Sequence, residues 1–351
     1  MFGLDGTGQL LFEQKWQGKL SEYVTAVAWS SQGVLAASSG AGELVLWVGD
    51  YLHPLMEVTE QSIDCLAFSR DGQFLATGGQ DGRVRIWHLQ PQFQLISILE
   101  NSPQWIDKLS WSPSHNQLAF SVGRNVQIWD ASSQELVTSL SFESSSPLGI
   151  DWSPDGQYLA IAGNQGAKVW NTHNWEDQPY VLKMPTASVA IAWSPDGKYL
   201  ACGNLERTLT VWQWYNPHPW IMRGFPGKVR NLAWSIPVKE NASLLATSSA
   251  QGIAVWKKQA GDNSGWEAEV LDLHEGVVEA IAFQPGSFLL ASAADDGYVC
   301  LWQNARQVGQ ILEGAVGGFS CLAWHPNGDQ LAAVGQNGEL IIWSIRNAYV
   351  L

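Results

Sequence analysis

The segment with the clearest potential for chemistry is His274-Glu-Gly-Val-Val-Glu279. A histidine followed by two glutamates faintly resembles a metal-binding motif. The segment has no second histidine at a metal-binding spacing, and its apolar residues indicate a strand rather than the helix that such a motif needs. We therefore expect His274 to make a structural hydrogen bond.

Other signatures of catalysis or cofactor binding are missing from the sequence. Pro226-Gly-Lys-Val has neither the spacing nor the following helix of a phosphate-binding loop, and no Gly-x-Ser-x-Gly elbow occurs. The four cysteines form no Cys-x-x-Cys pair and are expected to be small core residues: Cys65, Cys202, Cys300 and Cys321. The sequence therefore predicts no metal and no cofactor. A pair of carboxylates assembled from distant segments stays open.

Composition and charge limit the class of protein. Apolar residues make up 46% of the 351 residues and charged residues 15%, which is enough apolar side chain for a large core. The formal charge of −14 argues against nucleic-acid binding. Because no leader segment and no apolar run of about 18 residues is visible, we expect a protein of the reducing cytoplasm, with no membrane span.

A repeat in the sequence indicates the structural elements that position these residues. Eight tryptophans recur at intervals of 40 to 46 residues: Trp47, Trp87, Trp129, Trp170, Trp212, Trp256, Trp302 and Trp343. A second aromatic residue precedes each by 18 to 22 residues: Trp29, Phe68, Trp111, Trp152, Trp193, Trp234, Phe283 and Trp324. Two landmarks that stay in phase eight times predict eight copies of one structural unit.

One copy shows what the unit contains. Val189-Ala-Ile-Ala-Trp193 is a buried strand, Ser194-Pro-Asp-Gly197 is a turn with proline and glycine where a turn needs them, and Tyr199-Leu-Ala-Cys202 is a second strand. Thr208-Leu-Thr-Val-Trp212 alternates polar and apolar residues as a third strand should, and a more variable fourth strand follows. Four strands in about 43 residues are typical of one propeller blade.

The chain resembles the WD-repeat β-propeller family over essentially its whole length. The motifs that carry the resemblance are Asp-Trp-Ser-Pro-Asp-Gly at 151–156, Ala-Trp-Ser-Pro-Asp-Gly at 192–197, Leu-Ala-Thr-Gly-Gly-Gln-Asp-Gly at 75–82, and Ile-Trp at 86–87, 128–129 and 342–343. The resemblance implies a buried Asp–His–Ser–Trp network. Only one blade has nearly all of its members: Asp296, His274, Ser292 and Trp302. Most blades must therefore depend on apolar packing.

The predicted fold is all-β: residues 1–351 form one closed, eight-bladed propeller of four-stranded antiparallel blades, with residues 1–18 as the closing strand of the last blade. The blade cores are expected at about 19–47, 58–87, 101–129, 143–170, 184–212, 225–256, 273–302 and 315–343. Seven blades and a decaying eighth are the alternative. Uninterrupted repeats and short loops favour a bacterial-type member of the family.

Long connections rich in aromatic residues indicate where a partner docks. The connections after Trp170, Trp212 and Trp256 and an expanded turn in the sixth blade fall on one face in the family's topology. They supply the predicted partner site: Trp175, Tyr180, Trp214, Tyr215, Trp220, Lys239, Lys257 and Lys258. The opposite face offers an alternative set: Tyr23, Trp105, Lys228 and Arg230. Packing on the blade rim is the competing explanation for the aromatic residues.

These observations favour a non-enzymatic scaffold that docks a protein or peptide and is a monomer when alone. An enzyme or small-ligand binder that uses the mouth of the central channel is the second possibility, and a nucleic-acid-associated adaptor is the third. Convergent polar residues with perturbed pKa values at the channel would favour the second. Binding that weakens steeply with salt would favour the third.

Overall fold

A computed structural model describes residues 11–236, 242–261 and 264–346. These residues form 32 strands, and no helix occurs within those ranges. The strands make eight four-stranded sheets, each built from antiparallel neighbours, so the fold is an all-β, eight-bladed propeller. The predicted fold class and blade number are confirmed.

Blades one to four follow one another along the chain. Blade one contains β2 (Val24–Trp29), β3 (Leu35–Ser39), β4 (Leu44–Val48) and β5 (Tyr51–Met56). Blade two contains β6 (Ile63–Phe68), β7 (Phe74–Gly79), β8 (Arg83–His88) and β9 (Gln94–Glu100). Blade three contains β10 (Leu109–Trp111), β11 (Gln117–Val122), β12 (Asn125–Asp130) and β13 (Glu135–Ser141). Blade four contains β14 (Gly149–Trp152), β15 (Tyr158–Gly163), β16 (Gly166–Asn171) and β17 (Tyr180–Lys183).

Blades five to eight repeat the order. Blade five contains β18 (Ser188–Trp193), β19 (Tyr199–Asn204), β20 (Leu209–Gln213) and β21 (Trp220–Met222). Blade six contains β22 (Asn231–Trp234), β23 (Leu244–Ser249), β24 (Gly252–Lys258) and β25 (Trp266–Leu271). Blade seven contains β26 (Val278–Phe283), β27 (Leu290–Ala294), β28 (Tyr298–Gln303) and β29 (Gln307–Glu313). Blade eight contains β30 (Phe319–Trp324), β31 (Gln330–Gly335), β32 (Glu339–Ile345) and the N-terminal β1 (Phe12–Lys19).

The N-terminal strand completes the last blade, as predicted. β1 pairs antiparallel with β32, with Phe12 opposite Ile345. The buried Gln310 side chain holds the start of the strand: it accepts the Phe12 N–H at 2.8 Å and donates to the Phe12 carbonyl at 2.7 Å. Residues 1–10, which the prediction also assigned to this strand, lie outside the described residues.

Contacts within the chain define two units. Unit 1 comprises Met1–Trp29, Gly33–Val58 and Ala233–Leu351, and unit 2 comprises Ser30–Gln32 and Thr59–Leu232. Blades two to five belong to unit 2, most of blades one, seven and eight to unit 1, and the boundary falls inside β22. A single domain over residues 1–351 stays a prediction.

The repeated residues of the sequence meet in one register. In every blade a buried leucine on the second strand lies opposite the closing tryptophan, for example Leu159 opposite Trp170 and Leu290 opposite Trp302. The same leucine lies opposite the first-strand aromatic residue in the blades whose register is described, as Leu159 does with Trp152. All eight closing tryptophans are buried, none above 8% exposed. This aromatic–leucine–tryptophan row is what the repeat encodes.

Candidate functional site

The Asp–His–Ser series of blade seven has the connectivity of a catalytic triad. His274 Nδ1 lies 2.9 Å from the Asp296 carboxylate, and Nε2 lies 2.8 Å from the Ser292 hydroxyl. A triad needs a serine that a substrate can reach. Ser292 is 0% exposed, and its oxygen accepts the Trp302 indole N–H at 2.9 Å. The series therefore joins two loops and two strands of one blade, β27 and β28, which confirms the structural role expected for His274.

The four cysteines behave as core residues. All are unpaired, and burial raises the pKa of the Cys202 and Cys300 thiols to about 12 and that of Cys321 to about 11. A thiol that stays protonated at neutral pH is a poor nucleophile and a poor metal ligand. Within the described residues, no group of three or more His, Cys, Asp or Glu side chains is arranged to hold a metal ion.

Five aromatic rings cluster at one end of blades four and five in unit 2. The cluster consists of Tyr158, Tyr180, Trp193, Trp214 and Tyr215, and we call it the aromatic cluster. Trp214 is at its centre, with ring centroids 4.9 Å from Trp193, 5.0 Å from Tyr158 and 5.5 Å from Tyr180. Edge-to-face pairs at these distances add stability beyond that from the burial of their apolar area, so the rings hold one another in position.

Local hydrogen bonds hold the residues of the aromatic cluster in place. After β20 the Trp214 N–H donates to the Lys198 carbonyl at 2.7 Å, and the Asn216 N–H turns back to the Gln213 carbonyl at 2.9 Å. Tyr215 takes a left-handed conformation with φ of 65° at the corner of this turn, which lifts its ring outward. The Tyr158 and Tyr215 hydroxyls are hydrogen-bonded to each other. This bond is the main reason that the pKa of Tyr158 is raised to about 12.

A groove of about 430 Å³ runs beside the cluster, and we call it the aromatic groove. Its lining includes Tyr180, Trp214, Tyr215, Pro217 and Pro219. Tyr180 is 49% exposed and Tyr215 is 68% exposed, while Trp214 beneath them is only partly exposed. Large rings with polar hydroxyls, held above an apolar groove, are the usual anchors of protein interfaces.

The structure separates the predicted aromatic residues into two groups. Tyr180, Trp214 and Tyr215 come together in the cluster. Trp175 instead packs edge-to-face on Trp152 of blade four, with centroids 6.1 Å apart. Trp220 lies on β21 opposite Val211 and packs on Tyr199. For Trp175 and Trp220 the competing explanation, packing on the rim, describes what the structure shows.

Sequence reasoning missed Tyr158 and Trp193 as parts of the site. Each occupies a standard place of the repeat: Tyr158 begins the second strand of blade four, and Trp193 ends the first strand of blade five. The aromatic residue at the start of the second strand was a usable signal, since most blades have a smaller residue or a glutamine there.

The predicted lysines belong to blade six. Lys257 is exposed and lies opposite Glu267 on the neighbouring strand. Lys258 donates to the carbonyls of Gln259 and Gly261 at 3.1 and 3.0 Å, so local backbone already occupies its ammonium group. Lys239 lies outside the described residues. Lys257 and Lys258 are in unit 1 and the aromatic cluster is in unit 2, and a shared role stays a prediction.

The alternative set is also divided between the units. Tyr23 in unit 1 is 41% exposed, and Trp105 in unit 2 is 56% exposed. Trp105 lines a small cavity of about 260 Å³ together with Asp107 and Pro147. Lys228 and Arg230 are exposed on either side of the buried Val229. Binding by this set stays a prediction.

Two family models match parts of the chain. The model "WD domain, G-beta repeat" matches residues 53–88, 266–303 and 306–344. The model "Eukaryotic translation initiation factor eIF2A" matches residues 90–213. The chain therefore contains WD repeats, as predicted, and residues 90–213 include most of the aromatic cluster. No helix in the described part of the chain is long and apolar enough to cross a membrane.

Named relatives are similar in segments. "Protein Atg16l2" of Mus musculus is 34% identical over 80 residues, which are 22% of this chain and 13% of that protein. "Transcriptional corepressor LEUNIG_HOMOLOG" of Arabidopsis thaliana is 25% identical over 280 residues, covering 68% of this chain and 35% of that protein. The chain thus spans a minor part of these relatives.

A solved structure entitled "Crystal Structure of Mitotic Checkpoint Complex" contains a chain of the same fold. The TM-score is 0.64 with 18% sequence identity, and the match covers 96% of this chain and 93% of that one. At this identity the likeness concerns the fold alone. The two relatives are eukaryotic, so the bacterial-type assignment of the sequence has no support from them.

Proposed function

We propose that the protein is a non-enzymatic interaction scaffold that docks a segment of another protein in the aromatic groove. The observation that carries this proposal is the exposure of Tyr180 and Tyr215 above a preformed groove, on rings that brace one another. Two tyrosines held in place lose little conformational entropy when a partner covers them. The same rings would be costly to leave exposed without a use.

The descriptions of similar proteins support this proposal. One relative is described as a transcriptional corepressor, and the structure of the same fold was determined in a complex. The one triad-like set of the described residues is sealed inside blade seven. A scaffold therefore fits the molecule better than an enzyme, and we infer that its partners are proteins or peptides rather than nucleic acids.

The proposal is tested by capture from a lysate of the native cell. The tagged protein and the double variant Tyr180→Ala/Tyr215→Ala are compared, and bound proteins are identified by mass spectrometry. Tyr51→Ala is the matched control, because Tyr51 is 73% exposed on blade one. We expect the double variant to lose specific partners that the control keeps. Equal capture by both variants, with loss on Trp105→Ala, would transfer the site to the alternative set.

We further propose that the chain forms a single domain, acts as a monomer and works in the cytoplasm. The four unpaired cysteines, two buried and two partly buried, support a reducing compartment. Light scattering on the eluting protein tests the oligomeric state: one mass near 38.5 kDa is expected. A stable dimer would contradict the monomer.

A further inference from the structure

Two grooves lie on the two sides of β17, the outermost strand of blade four. The aromatic groove is on one side. A second groove of about 510 Å³ is lined by Phe142, Lys168, Lys183 and neighbouring residues, and we call it the lysine groove. Val181 and Lys183 line both grooves, so the two are continuous across the strand. Val181 is 53% exposed at this crossing.

Two lysines that line the lysine groove share one face of the sheet. Lys168 lies opposite Val181 and Lys183 lies opposite Gly166 in the β16–β17 pairing, so the two lysines are diagonal neighbours on one face of the sheet. Diagonal neighbours on a sheet are about 7–8 Å apart, which is close enough for two like charges to repel. An anionic group between them would relieve this repulsion.

The two lysines differ in how they are held. Lys168 rests with its ammonium 5.6 Å from the centre of the Phe142 ring and donates to the Ser141 carbonyl at 3.5 Å. The Lys183 side chain is exposed, and its ammonium group makes no ion pair or hydrogen bond with the described residues. Glu143 is the single acidic residue of the lining. On a chain with a formal charge of −14, a groove with two lysines and one acid is a local reversal of sign.

We propose that the occupant of both grooves is an extended, acidic segment of a partner protein. Its aromatic, proline or aliphatic residues lie in the aromatic groove, and an Asp or Glu two or more residues away reaches Lys183 and Lys168. This inference rests on the proposed function and adds the chemistry of the partner. Charge complementarity selects the acidic segment, since the lysine groove would repel a basic one.

The segment binds through its side chains rather than as an added strand. β17 is only four residues long, and Pro179 and Pro185 stand just outside its ends. Short edge strands flanked by proline offer few backbone groups for pairing with another chain. Specificity therefore comes from the spacing in the peptide between the apolar residue and the carboxylate. The two grooves meet at Val181, and the distance between them sets that spacing.

A library of random peptides tests this inference without a known partner. Peptides of about twelve residues, roughly 40 Å when extended, are displayed on phage and selected on the wild-type protein. Recovered sequences are expected to combine an aromatic or proline residue with Asp or Glu. One such peptide, labelled with fluorescein, is then measured by fluorescence anisotropy beside its Glu→Gln or Asp→Asn form.

Substitutions in the protein supply the second half of the test. Lys183→Glu should weaken binding of the labelled peptide by about tenfold and abolish its preference for the acidic form, because an attraction between opposite charges becomes a repulsion. Lys168→Gln should weaken it less, since the Phe142 ring and the Ser141 carbonyl already hold that ammonium group. Lys108→Glu, at an exposed lysine of unit 2 that lines neither groove, is the matched control and should leave the affinity unchanged.

The outcomes separate the inference from the proposal on which it rests. Peptides that need Tyr180 and Tyr215 but bind equally as amide and acid, or are indifferent to Lys183→Glu, would overturn the acidic segment and leave the scaffold intact. Peptides enriched in Lys or Arg would overturn it as well. Peptides whose affinity is unchanged by Tyr180→Ala/Tyr215→Ala would contradict the proposal that the aromatic groove is the docking site.

Discussion

Blades four and seven solve the same packing problem in different ways. In blade seven, polar side chains link the loop before the first strand to the closing tryptophan through His274 and Ser292. In blade four, Ile161 takes the position of Ser292, since each lies two residues after the leucine opposite the closing tryptophan. Phe142, in the connection before β14, packs with Ile161 and Trp170 in one apolar cluster.

The difference shows that the network is one means of joining a blade and not a requirement of the fold. A buried polar network is strong only while every member has its partner, and removing one member leaves the rest unsatisfied. Apolar packing has no such condition, and exchanging a whole polar set for well-packed apolar side chains can be nearly neutral. Blade four is therefore free to use its outer residues for binding.

The largest expected effect is removal of a closing tryptophan. Trp170→Ala and Trp302→Ala should each lower the free energy of unfolding by about 3–5 kcal/mol, because each leaves a large cavity. Trp302→Ala should cost more, since the Ser292 hydroxyl also loses a donor. Urea denaturation monitored by circular dichroism measures both. A smaller loss for Trp302→Ala would mean that the network contributes nothing to blade seven.

A graft tests the exchange of networks directly. His274→Ala should cost about 2–3 kcal/mol, because it leaves a buried gap and removes one hydrogen-bond partner each from Asp296 and Ser292. The pair His274→Phe with Ser292→Ile, which copies Phe142 and Ile161, should recover most of that loss. The same urea titration compares the variants. A graft less stable than His274→Ala would show that blade seven cannot accept the blade-four solution.

A carboxyl group distinguishes the first strands of the two blades. Asp151 of blade four precedes Trp152, whereas Ala282 precedes Phe283 in blade seven. Burial raises the pKa of Asp151 to about 7, although its carboxylate accepts a hydrogen bond from the backbone N–H of Trp193 at 2.7 Å. In the unfolded chain an aspartate has a pKa of about 3.9, so the folded state holds the proton more tightly.

Stability should therefore fall as the pH rises from about 4 to about 7, through the range between the two pKa values, and level off above it. Asp151→Asn should remove this slope and stabilise the protein at pH above about 7 relative to the wild type. Thermal melts of both proteins at several pH values measure the effect. Parallel pH profiles for the two proteins would show that the Asp151 proton is not coupled to folding.

The smallest expected effect concerns the exposed rings. Tyr215→Ala should change the free energy of unfolding by under about 1 kcal/mol, since the ring is largely in solvent. Trp214→Ala, at the centre of the cluster, should cost clearly more, because it removes contacts to four rings. Differential scanning calorimetry of the two variants makes the comparison. Equal losses would mean that the exposed ring supports the blade and is no free anchor.

The repeat made the fold predictable, because periodic aromatic residues and turn glycines report local structure that recurs eight times. The turn glycines of the Ser-Pro-Asp-Gly motifs show the positive φ expected of them, 73° at Gly156 and 70° at Gly197. The site was predictable only in part. Of five aromatic residues proposed as anchors, Tyr180 and Tyr215 are strongly exposed, whereas Trp214, Trp175 and Trp220 pack on rings of the blades.

The sequence by itself determined the blade count, the N-terminal strand of the last blade and the structural role of His274. Each of these follows from short-range pattern, since strand periodicity and turn chemistry act over a few residues and then repeat. The tertiary structure decided which aromatic side chains face solvent and which lysines share a groove. Exposure depends on neighbours from other strands: Tyr158 and Tyr215 are 57 residues apart. No local pattern in the chain encodes that meeting, because the packing of two blades brings it about.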